Sequence, residues 1–570
     1  MQKYYLAALL LSCCYSSFSQ ETPSKRPYPQ TDFRSPLDIP ISLAGSFGEI
    51  RSNHFHSGLD LRTNQQEGLP VHAAADGYIS RLRVQIGGGG NIVYINHGNG
   101  YTTVYMHLQR FSEKIASRVR FNQFMSHSFD IDFPLFPAEI FVKKGEVIAL
   151  SGNTGGSAGP HLHFEIRDSK TEETINAPLF GIGPNDRTKP VISGLYLYRL
   201  NDLPFSERTP KQYFQVSGGA GSYRLNQSPV INIGGEAGVG IMTYDQSVPG
   251  GNKNGVYSIQ LTLDGTVIYF SELERFSFSN SRAVNSHIDY PALLSSGRSI
   301  QKSFVEPGNP LTIYKKLVNG GRFTLTGDSI HNMVYTIKDV YGNTSTLTFK
   351  VKNNPKAALA APPFKGVKTL VYNQDNDFAA PGMRVSFPKG IFYSNVELNY
   401  SENAKPAGAF SKSYQVHTRL IPVHDAYTLW IKPDSALRAE WQNKAVIVDS
   451  RGISQGGVVE DGFIKASPRY LGSFYVKIDT LAPVIRSLTL TEGKSLAGVK
   501  KIFFKISDNL SGIKTFYGSI DGQWVLMEYD LKTATLWHTF GESVTGNHIF
   551  KLVVTDAKGN EKTFTANFNR

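Results

Sequence analysis

Ser151-Gly-Asn-Thr-Gly-Gly-Ser-Ala-Gly-Pro-His161-Leu-His163-Phe-Glu165-Ile166 joins a glycine-rich loop to a segment of alternating apolar and polar residues. The alternation predicts a β-strand with an apolar face and a polar face. The apolar face would carry Leu162, Phe164 and Ile166, and the polar face His161, His163 and Glu165. Two imidazoles at positions i and i+2 of one face are close enough to share a metal ion or an anionic partner. The alternative is a solvent-exposed strand that carries His-x-His by chance.

A second pair of potential ligands lies upstream, at His56 and Asp60, with Gly58 between them. If this stretch is extended, positions 56, 58 and 60 share a face, and Gly58 leaves room between an imidazole and a carboxylate. One histidine of the 161/163 pair would complete a set of three ligands. Three protein ligands with an open fourth position are typical of catalytic zinc, whereas structural zinc sites are closed by four ligands, usually including cysteine. Alone, His-x-x-x-Asp is a weak signal.

Three sequence motifs resemble the three signatures of the lysostaphin/LytM-type zinc metalloendopeptidases, and they occur along the chain in the same order as in that family. They are His56-Ser-Gly-Leu-Asp60, Tyr105-Met-His107-Leu108 and Gly155-Gly-Ser-Ala-Gly-Pro-His161-Leu-His163-Phe-Glu165. The resemblance covers roughly residues 45–175 and implies a compact LytM-like, duplicated-hybrid-motif β domain. It also implies that His56, Asp60 and His163 bind Zn²⁺, and that His107 and His161 assist catalysis. Which of these two histidines acts as general base and which binds the oxyanion stays open.

Length and composition predict several β domains. A chain of 570 residues is too long for one core, and its many glycine, proline and aromatic residues, with little helical periodicity, favour an all-β chain. We predict a peptidase domain at 41–187, with an insertion at about 111–141 that is either a lid over the substrate groove or an inert excursion. Ser112 and Glu113 should begin a short helix that carries Ile115 and Val119 on one side.

Downstream landmarks repeat in order. Pro190-Val-Ile-x-x-Leu-x-Leu197 recurs as Pro483-Val-Ile-x-x-Leu-x-Leu490, and Asp339-Val-Tyr-Gly-Asn343 recurs as Asp556-Ala-Lys-Gly-Asn560. We therefore predict two Ig-like β-sandwich modules, at 188–353 and 481–570, and a further β-rich module at 366–480. These modules are candidates for binding protein partners in the cell envelope.

The N-terminus predicts export. Residues 1–19 combine Lys3, a short apolar core and a small-x-small cleavage site that ends at Ser19, as in a signal peptide. Both cysteines, Cys13 and Cys14, lie inside this segment, so the mature chain would contain neither a disulfide nor a thiol nucleophile. Alternatively, Cys13 becomes the lipidated N-terminus of a lipoprotein. We expect the periplasm or the cell envelope as the location.

Hydropathy and charge argue against an integral membrane span and against nucleic acid as a partner. No other segment approaches the roughly 20 apolar residues of a membrane span, so we expect no integral membrane span. The formal charge of +12 is spread thinly, without the runs of like charge that indicate nucleic-acid binding.

For most of the other polar residues near the motifs we predict a structural role and not a catalytic one. His54, His72 and His97 are interpreted as surface or packing residues. Glu165 is expected to form a salt bridge, to Arg167 or Arg62, rather than to act in catalysis. Arg51 and Asn53 either line the groove or form a turn.

The sequence thus predicts an exported zinc endopeptidase that cleaves the peptide stems of peptidoglycan, and this substrate class comes from the resemblance alone. One alternative is a non-catalytic scaffold of the same type that binds the wall and regulates other wall hydrolases. Another is that the C-terminal modules carry the main function. The presence of competent side chains at all five metal and catalytic positions favours the enzyme.

Overall fold

A computed structural model describes residues 28–227, 229–358, 364–541 and 545–570 of the chain. The predicted signal peptide, with Cys13 and Ser19, lies outside the described residues. Strands dominate the described part, which confirms the all-β class. Within the described ranges, no helix combines the length and the apolar character that crossing a membrane requires.

The N-terminal region is organised around a sheet of antiparallel strands. In spatial order its main path runs through Leu43–Gly45, Leu59–Arg62, His161–Asp168, Tyr101–Met106, Asn91–Asn96, Gly77–Val84 and Ile131–Pro134. Smaller strands are Ile50–Arg51, His54–Phe55, Pro70–His72, Arg110–Phe111, Phe141–Val142, Val147–Leu150 and Thr174–Ile175, and a 3-10 helix spans Ala177–Phe180. The apolar face of His161–Asp168 supplies the core, because Leu162, Phe164 and Ile166 are fully buried.

The predicted insertion adds a helix and a strand to this region. The helix spans Glu113–Ser126 and buries Ile115 and Val119, as predicted, but it is longer than the short helix expected. Ser112 is the N-cap residue, although its side chain makes no capping hydrogen bond. The following strand, Ile131–Pro134, pairs with Gly77–Val84, so the second half of the insertion extends the main sheet.

The next region, from Val191 to Asn353, forms one continuous sheet with its own core. Its strands are Val191–Arg199, Lys211–Gly219, Ser222–Leu225, Val230–Ile233, Ala237–Tyr244, Ser258–Leu263, Thr266–Glu272, Gln301–Lys302, Tyr314–Leu317, Ile330–Lys338 and Thr344–Asn353. Helices span Val284–His287 and Tyr290–Ser296, with 3-10 turns at Ser281–Ala283, Asn319–Gly321 and Pro355–Ala357. A further strand, Arg275–Phe276, pairs with Thr174–Ile175, and Phe276 packs into the core of the N-terminal region.

Two further sandwich-like units follow, each with its own core. The first has strands Lys368–Leu370, Asn376–Ala380, Met383–Phe387, Val396–Leu398, Tyr400–Asn403, Ser413–Val416, Thr428–Ile431, Ala445–Asp449, Val458–Glu460, Phe463–Ala466 and Gly472–Ile478, with a 3-10 helix at Ala439–Lys444. The last has strands Val484–Ser487, Lys494–Ser495, Lys501–Ser507, Ile513–Ile520, Gln523–Val525, Glu528–Asp530, Thr535–Thr539, Asn547–Asp556 and Glu561–Asn569.

The repeated landmarks occupy matching strands. Val191–Arg199 pairs antiparallel with Ala237–Tyr244, and Val484–Ser487 pairs in the same way with Lys501–Ser507. In each copy the last strand also accepts a short parallel neighbour, Val230–Ile233 in the first. In the second this neighbour is Lys494–Ser495. The topology is consistent with two copies of one unit, while the boundaries 188–353 and 481–570 and the Ig-like class stay predictions.

Candidate metal centre

His56, Asp60 and His163 bring three ligand atoms to one point. His56 Nε2 lies 3.0 Å from Asp60 Oδ1. His163 Nδ1 lies 2.9 Å from the same oxygen and 3.1 Å from His56 Nε2. All three residues are buried, so the solvent-exposed strand considered for His161–Asp168 is wrong.

Strand register creates this cluster. In the antiparallel pair of Leu59–Arg62 with His161–Asp168, His163 stands directly opposite Asp60. On its other side His163 is paired with Met106, which places His107 at the end of the neighbouring strand. A one-residue slip would turn these side chains to the opposite face, so the alternating pattern itself specifies the site.

The segment that carries His56 is not the single extended strand that the spacing predicted. A strand ends at Phe55 and the next begins at Leu59, and Gly58 lies in the connection. A Cβ atom on Gly58 would lie 2.3 Å from the Phe164 carbonyl oxygen and 2.9 Å from His163 Nε2. Glycine is therefore required here because the neighbouring strand comes so close.

Hydrogen bonds to the far ring nitrogens select the tautomers. His56 Nδ1 lies 2.7 Å from the carbonyl oxygen of Ser46, which accepts only if Nδ1 carries the proton. His163 Nε2 lies 2.9 Å from Glu165 Oε1, which likewise accepts from a protonated Nε2. In the neutral rings the unprotonated nitrogens, His56 Nε2 and His163 Nδ1, then face Asp60 Oδ1 and each other.

This donor set fits a zinc ion. When both histidine rings are neutral, three acceptor atoms converge without a proton between them and repel each other, and a cation at their centre removes that repulsion. Tetrahedral zinc with bonds of about 2.0–2.1 Å separates its ligand atoms by about 3.3 Å. The separations of 2.9–3.1 Å are close to that value. Two imidazoles and one carboxylate are ligand types typical of catalytic zinc.

His163 contacts a buried ion pair formed by Glu165 and Arg167. Glu165 is fully buried, and it receives hydrogen bonds from Ser57 Oγ at 2.6 Å and Arg167 Nε at 2.5 Å. The predicted salt bridge of Glu165 to Arg167 is therefore confirmed. Burial alone would raise the pKa of Glu165, but the Arg167 charge and the His163 hydrogen bond lower this pKa to about 2.

The same contacts shift the other ionisable groups of the cluster. Burial works against the charged form of His163, but its hydrogen bonds to Asp60 and Glu165 raise its pKa to about 9. Burial also opposes the charge of Asp60, yet hydrogen bonds from the protonated forms of the surrounding histidines hold the pKa of this carboxyl far below its usual range. Arg51 adds an ion pair to the second oxygen of Asp60, at 2.9 Å.

His107 and His161 lie side by side next to the cluster, with ring centroids 4.8 Å apart. Each Nδ1 faces a backbone carbonyl, that of Thr154 at 2.9 Å for His107 and that of Gly159 at 2.8 Å for His161. Their Nε2 atoms are thereby the unprotonated nitrogens of the neutral rings. His161 Nε2 lies 3.3 Å from Asp60 Oδ1.

His107 also has an unusual backbone conformation, with φ at 63°, which costs a residue with a side chain of order 1–3 kcal/mol. Burial, reinforced by repulsion from His163 and His161, lowers the pKa of its imidazole to about 3. His107 is therefore neutral at physiological pH. Unlike the three clustered residues, His107 and His161 both remain partly exposed, so a substrate could reach them.

The other histidines near the motifs have the structural contacts expected of them. His72 Nε2 pairs with Asp38 at 2.9 Å, and His97 Nε2 contacts Thr103 Oγ1 at 2.7 Å. His54 is exposed, and its Nδ1 lies 3.0 Å from the carbonyl oxygen of Ser52. Of the two alternatives predicted for Asn53, the structure has the turn: Asn53 adopts a left-handed backbone conformation and accepts a hydrogen bond from Asn285 at 2.9 Å.

Sequence reasoning missed the groups that hold the rings in place. The carbonyls of Ser46, Thr154 and Gly159 have no side-chain signature, and Ser57 was not singled out. The glycine-rich loop did indicate the position of one of these groups, the Thr154 carbonyl, because Thr154 directly precedes Gly155. Gly155, at φ +70°, packs so closely that a Cβ atom would lie 2.3 Å from the backbone nitrogen of Gly90.

Comparisons with known proteins point to one family for this region. Residues 54–130 and 137–177 match the model of Peptidase family M23, and residues 367–479 match the model of the Zu5-like domain. An uncharacterized metalloprotease of Haemophilus influenzae is 44% identical over 119 residues, which are 21% of this chain and 19% of that protein. The DD-carboxypeptidase/endopeptidase Mpg of Neisseria meningitidis serogroup B is 40% identical over 112 residues, 20% of each chain.

The chain is also similar to two further proteins that are named as peptidases. The peptidoglycan DD-endopeptidase ShyA of Vibrio cholerae is 33% identical over 139 residues, 23% of this chain and 26% of that protein. The solved catalytic domain of lysostaphin from Staphylococcus simulans shares 25% identity and covers 25% of this chain and 91% of its own, with a TM-score of 0.18. The chain spans about a fifth of the length of the first curated relatives that it matches.

The region 54–177 is therefore similar to Peptidase family M23, and the predicted resemblance to lysostaphin/LytM-type enzymes is confirmed at this level. The match begins just before His56 and ends after His163, so it contains the whole cluster described above.

Proposed function

We propose that the chain is an exported zinc metalloendopeptidase that hydrolyses the peptide cross-links of peptidoglycan. The observation that carries the proposal is the convergence of His56 Nε2, Asp60 Oδ1 and His163 Nδ1, with two further histidines beside them. The family match and the DD-endopeptidase relatives support peptide stems as the substrate class.

The proposed mechanism divides the work between two sets of residues. His56, Asp60 and His163 would hold the metal, and bound zinc supplies a Lewis acid that polarises a peptide carbonyl and activates water. The Nδ1 atoms of His107 and His161 contact backbone carbonyls, so Nε2 is the nitrogen that each ring can offer to a substrate. One of them takes a proton from the attacking water, and the other, when protonated, stabilises the developing oxyanion by a hydrogen bond.

We assign the role of proton acceptor to His107, whose ring is neutral across the physiological range. Its backbone hydrogen bond to Thr154 keeps the proton on Nδ1, so Nε2 is ready to accept a second one. His161 would then provide the hydrogen bond to the oxyanion.

Export and location belong to the same proposal. A substrate in the cell wall requires the chain to cross the inner membrane, and residues 1–19 have the composition of the signal that would direct it. Lipidation at Cys13 is the alternative route to retention in the envelope.

The test is digestion of purified sacculi by the zinc-loaded chain, followed by mass spectrometry of the released muropeptides. We expect monomeric stem products from cross-linked dimers, and no products after chelation or with His163→Ala. Intact cross-links with the zinc-loaded chain would overturn the peptidase proposal. Stimulation of a wall amidase by a chain that itself leaves the cross-links intact would support the scaffold instead.

A further inference from the structure

Each of the two repeated sandwich units contains a group of three aspartates outside the peptidase site. In the first group the carboxylates of Asp186, Asp245 and Asp339 each place an oxygen within 4.8 Å of the others. The second group, Asp479, Asp508 and Asp556, has the same arrangement. Neither group includes a histidine or a cysteine.

The two groups occupy equivalent places in the repeated unit. Asp186 and Asp479 lie in the segments that lead into the first strand of each copy, Val191–Arg199 and Val484–Ser487. Asp245 directly follows the strand Ala237–Tyr244, and Asp508 directly follows the paired strand of the other copy, Lys501–Ser507.

The third aspartate of each group forms a turn that also holds the incoming segment. Asp339 Oδ1 accepts hydrogen bonds from the backbone nitrogens of Tyr341 and Asn343, at 2.9 and 2.8 Å. Asn343 Nδ2 then donates to the carbonyl oxygen of Asp186, at 3.2 Å.

The same contacts recur in the second copy. Asp556 Oδ1 accepts from the backbone nitrogens of Lys558 and Asn560, at 2.7 and 2.9 Å. Asn560 Nδ2 donates to the carbonyl oxygen of Asp479, at 2.9 Å. The turn therefore presents its aspartate to the incoming segment in the same way in both copies.

Several carboxylate oxygens in these groups lack a donor. Asp245 is 6% exposed, and no hydrogen-bond donor in the described part of the chain reaches its Oδ1. Asp479 is 1% exposed, and its Oδ1 is likewise unpartnered among the described residues, as is Oδ1 of Asp508. A buried acceptor without a partner costs about 1–3 kcal/mol, so two buried groups with this pattern require an explanation.

Positive side chains do not supply the missing partner. Among the described residues, no lysine, arginine or histidine forms a salt bridge with any of the six aspartates. Lys558 lies near the second group, but its Nζ donates to the carbonyl oxygen of Gly457 at 2.8 Å. In the first group, burial and the neighbouring Asp186 and Asp339 carboxylates raise the pKa of Asp245 to about 8.

We propose that each group binds one hard divalent cation, with Ca²⁺ as the preferred ion. Ca²⁺ takes its ligands from carboxylate and carbonyl oxygens and from water, whereas zinc and copper sites use imidazole or thiolate. Asn254 offers a further ligand in the first group: its Oδ1 is buried and unpartnered among the described residues, and its backbone is paired with Asp245. The proposal is independent of the peptidase function.

The placement of the groups gives the cations a structural role. Each site joins the segment entering a sandwich unit to two loops of that unit. The first group lines a cavity whose wall also includes Ser46 and Leu59 of the peptidase domain. Bound Ca²⁺ would therefore stiffen the junctions of the peptidase domain with the first unit and of the 366–480 region with the last unit.

The first experiment is calorimetric titration of CaCl₂ into the zinc-loaded full chain after dialysis into calcium-free buffer. We expect two bound Ca²⁺ per chain. Asp245→Asn and Asp508→Asn should each remove one of them, or weaken it by about tenfold or more, because each loses a charged ligand. Zinc content should not change in either variant.

Matched controls use two other repeated aspartates. Asp264 and Asp521 lie at equivalent Asp-Gly turns, are 49% exposed at the side chain and pair with His331 and His548. Asp264→Asn and Asp521→Asn should retain both calcium ions. Absence of calcium binding to the wild-type chain, or two ions retained in Asp245→Asn, would overturn the proposal.

Thermal unfolding gives a second readout that does not depend on stoichiometry. Calcium should raise the Tm of the wild-type chain and raise it less in Asp245→Asn, because a ligand that binds only the folded state stabilises it. If the groups were only buried acids, Asp245→Asn would raise the Tm equally with and without calcium by relieving repulsion. That result would contradict calcium binding even if all variants fold normally.

Discussion

His163 Nε2 lies 2.9 Å from Glu165 Oε1, two positions further along the same strand. This contact directs the other ring nitrogen, Nδ1, towards His56 and Asp60. Glu165 is thus a positioning residue for the ligand cluster, and Arg167 balances its buried charge.

The first prediction concerns this positioning role. Glu165→Gln should weaken zinc binding by about 10–100-fold, because it removes the charged acceptor that orients His163 and raises its basicity. The check is zinc affinity measured by competition with a chromophoric chelator. Glu172→Gln is the matched control, since Glu172 is exposed and its carboxylate lies 3.9 Å from the same Arg167. Equal zinc affinity in the two variants would refute the role of Glu165.

Zinc binding should also be coupled to proton release. In the metal-free chain the pKa of His163 is about 9, so below pH 9 its ring carries a proton that must leave before Nδ1 can bind a metal. The apparent zinc affinity should therefore fall by about tenfold for each pH unit below 9.

Titration calorimetry at pH 7.5 in two buffers of different ionisation enthalpy measures this release. We expect about one proton from His163 per zinc ion in the wild-type chain. Glu165→Gln should release less, because one of the two carboxylates that raise the pKa of His163 is neutralised. Heats that are identical in the two buffers would contradict the coupling.

The third prediction separates ligands from assisting histidines. His107→Ala should reduce turnover by about 10²–10⁴-fold and leave zinc content unchanged, because His107 is expected to move a proton and not to bind the metal. Asp60→Ala should lose metal and activity together, since Asp60 Oδ1 contacts both clustered imidazoles. The measurements are muropeptide release and zinc content on the same preparations. Full zinc retention in Asp60→Ala would exclude Asp60 as a ligand.

Close packing at Gly58 leads to the fourth prediction. Gly58→Ala would place a methyl group 2.3 Å from the Phe164 carbonyl oxygen and should cost about 1–3 kcal/mol of folding stability, with a displaced His163 ring. Gly87→Ala is the control, because no atom lies within 4 Å of its Cβ position and its φ is not positive. Denaturant unfolding and zinc affinity provide the check, and equal values for the two variants would show that the strand tolerates the methyl group.

The ligand cluster was predictable from sequence because a local pattern and a family resemblance agree on it. Alternation along 161–166 assigns both His161 and His163 to the polar face, and the resemblance to the lysostaphin/LytM-type enzymes implies which of them joins His56 and Asp60. The orientation of the rings was not predictable, because it depends on the backbone carbonyls of Ser46, Thr154 and Gly159, which any residue could provide.

The acidic groups show a different limit. The repeated turns at Asp339 and Asp556 were recognisable because the motif is contiguous. Asp245 and Asp508 were not recognisable as partners, since three strands separate the first strand from its partner strand in the first copy and one strand does so in the second, and only the folded strands bring the two aspartates to equivalent positions. The pairing of strands that are distant in the sequence therefore creates a site that no local sequence pattern predicts.

The last unit contacts the insertion of the peptidase domain, and this contact gives the fifth prediction. Trp524 stacks on His127 at 5.3 Å between ring centroids and meets Phe124 edge-on at 5.0 Å, both at the end of the helix Glu113–Ser126. Lys532 Nζ of the same unit also donates to the carbonyl oxygen of Asn153, next to the loop that orients His107. Trp524→Ala should release this end of the helix, because such aromatic pairs contribute about 0.5–1.5 kcal/mol beyond the area they bury.

Amide hydrogen exchange measures the release directly. We expect faster exchange over residues 119–127 in Trp524→Ala and unchanged exchange in Tyr517→Ala, whose side chain is 43% exposed on a strand of the same unit. If the insertion acts as a lid that the last unit holds in place, muropeptide release should change in the tryptophan variant and not in the tyrosine variant. Faster exchange with unchanged product release would make the helix an inert excursion, and unchanged exchange would show that Trp524 does not hold it.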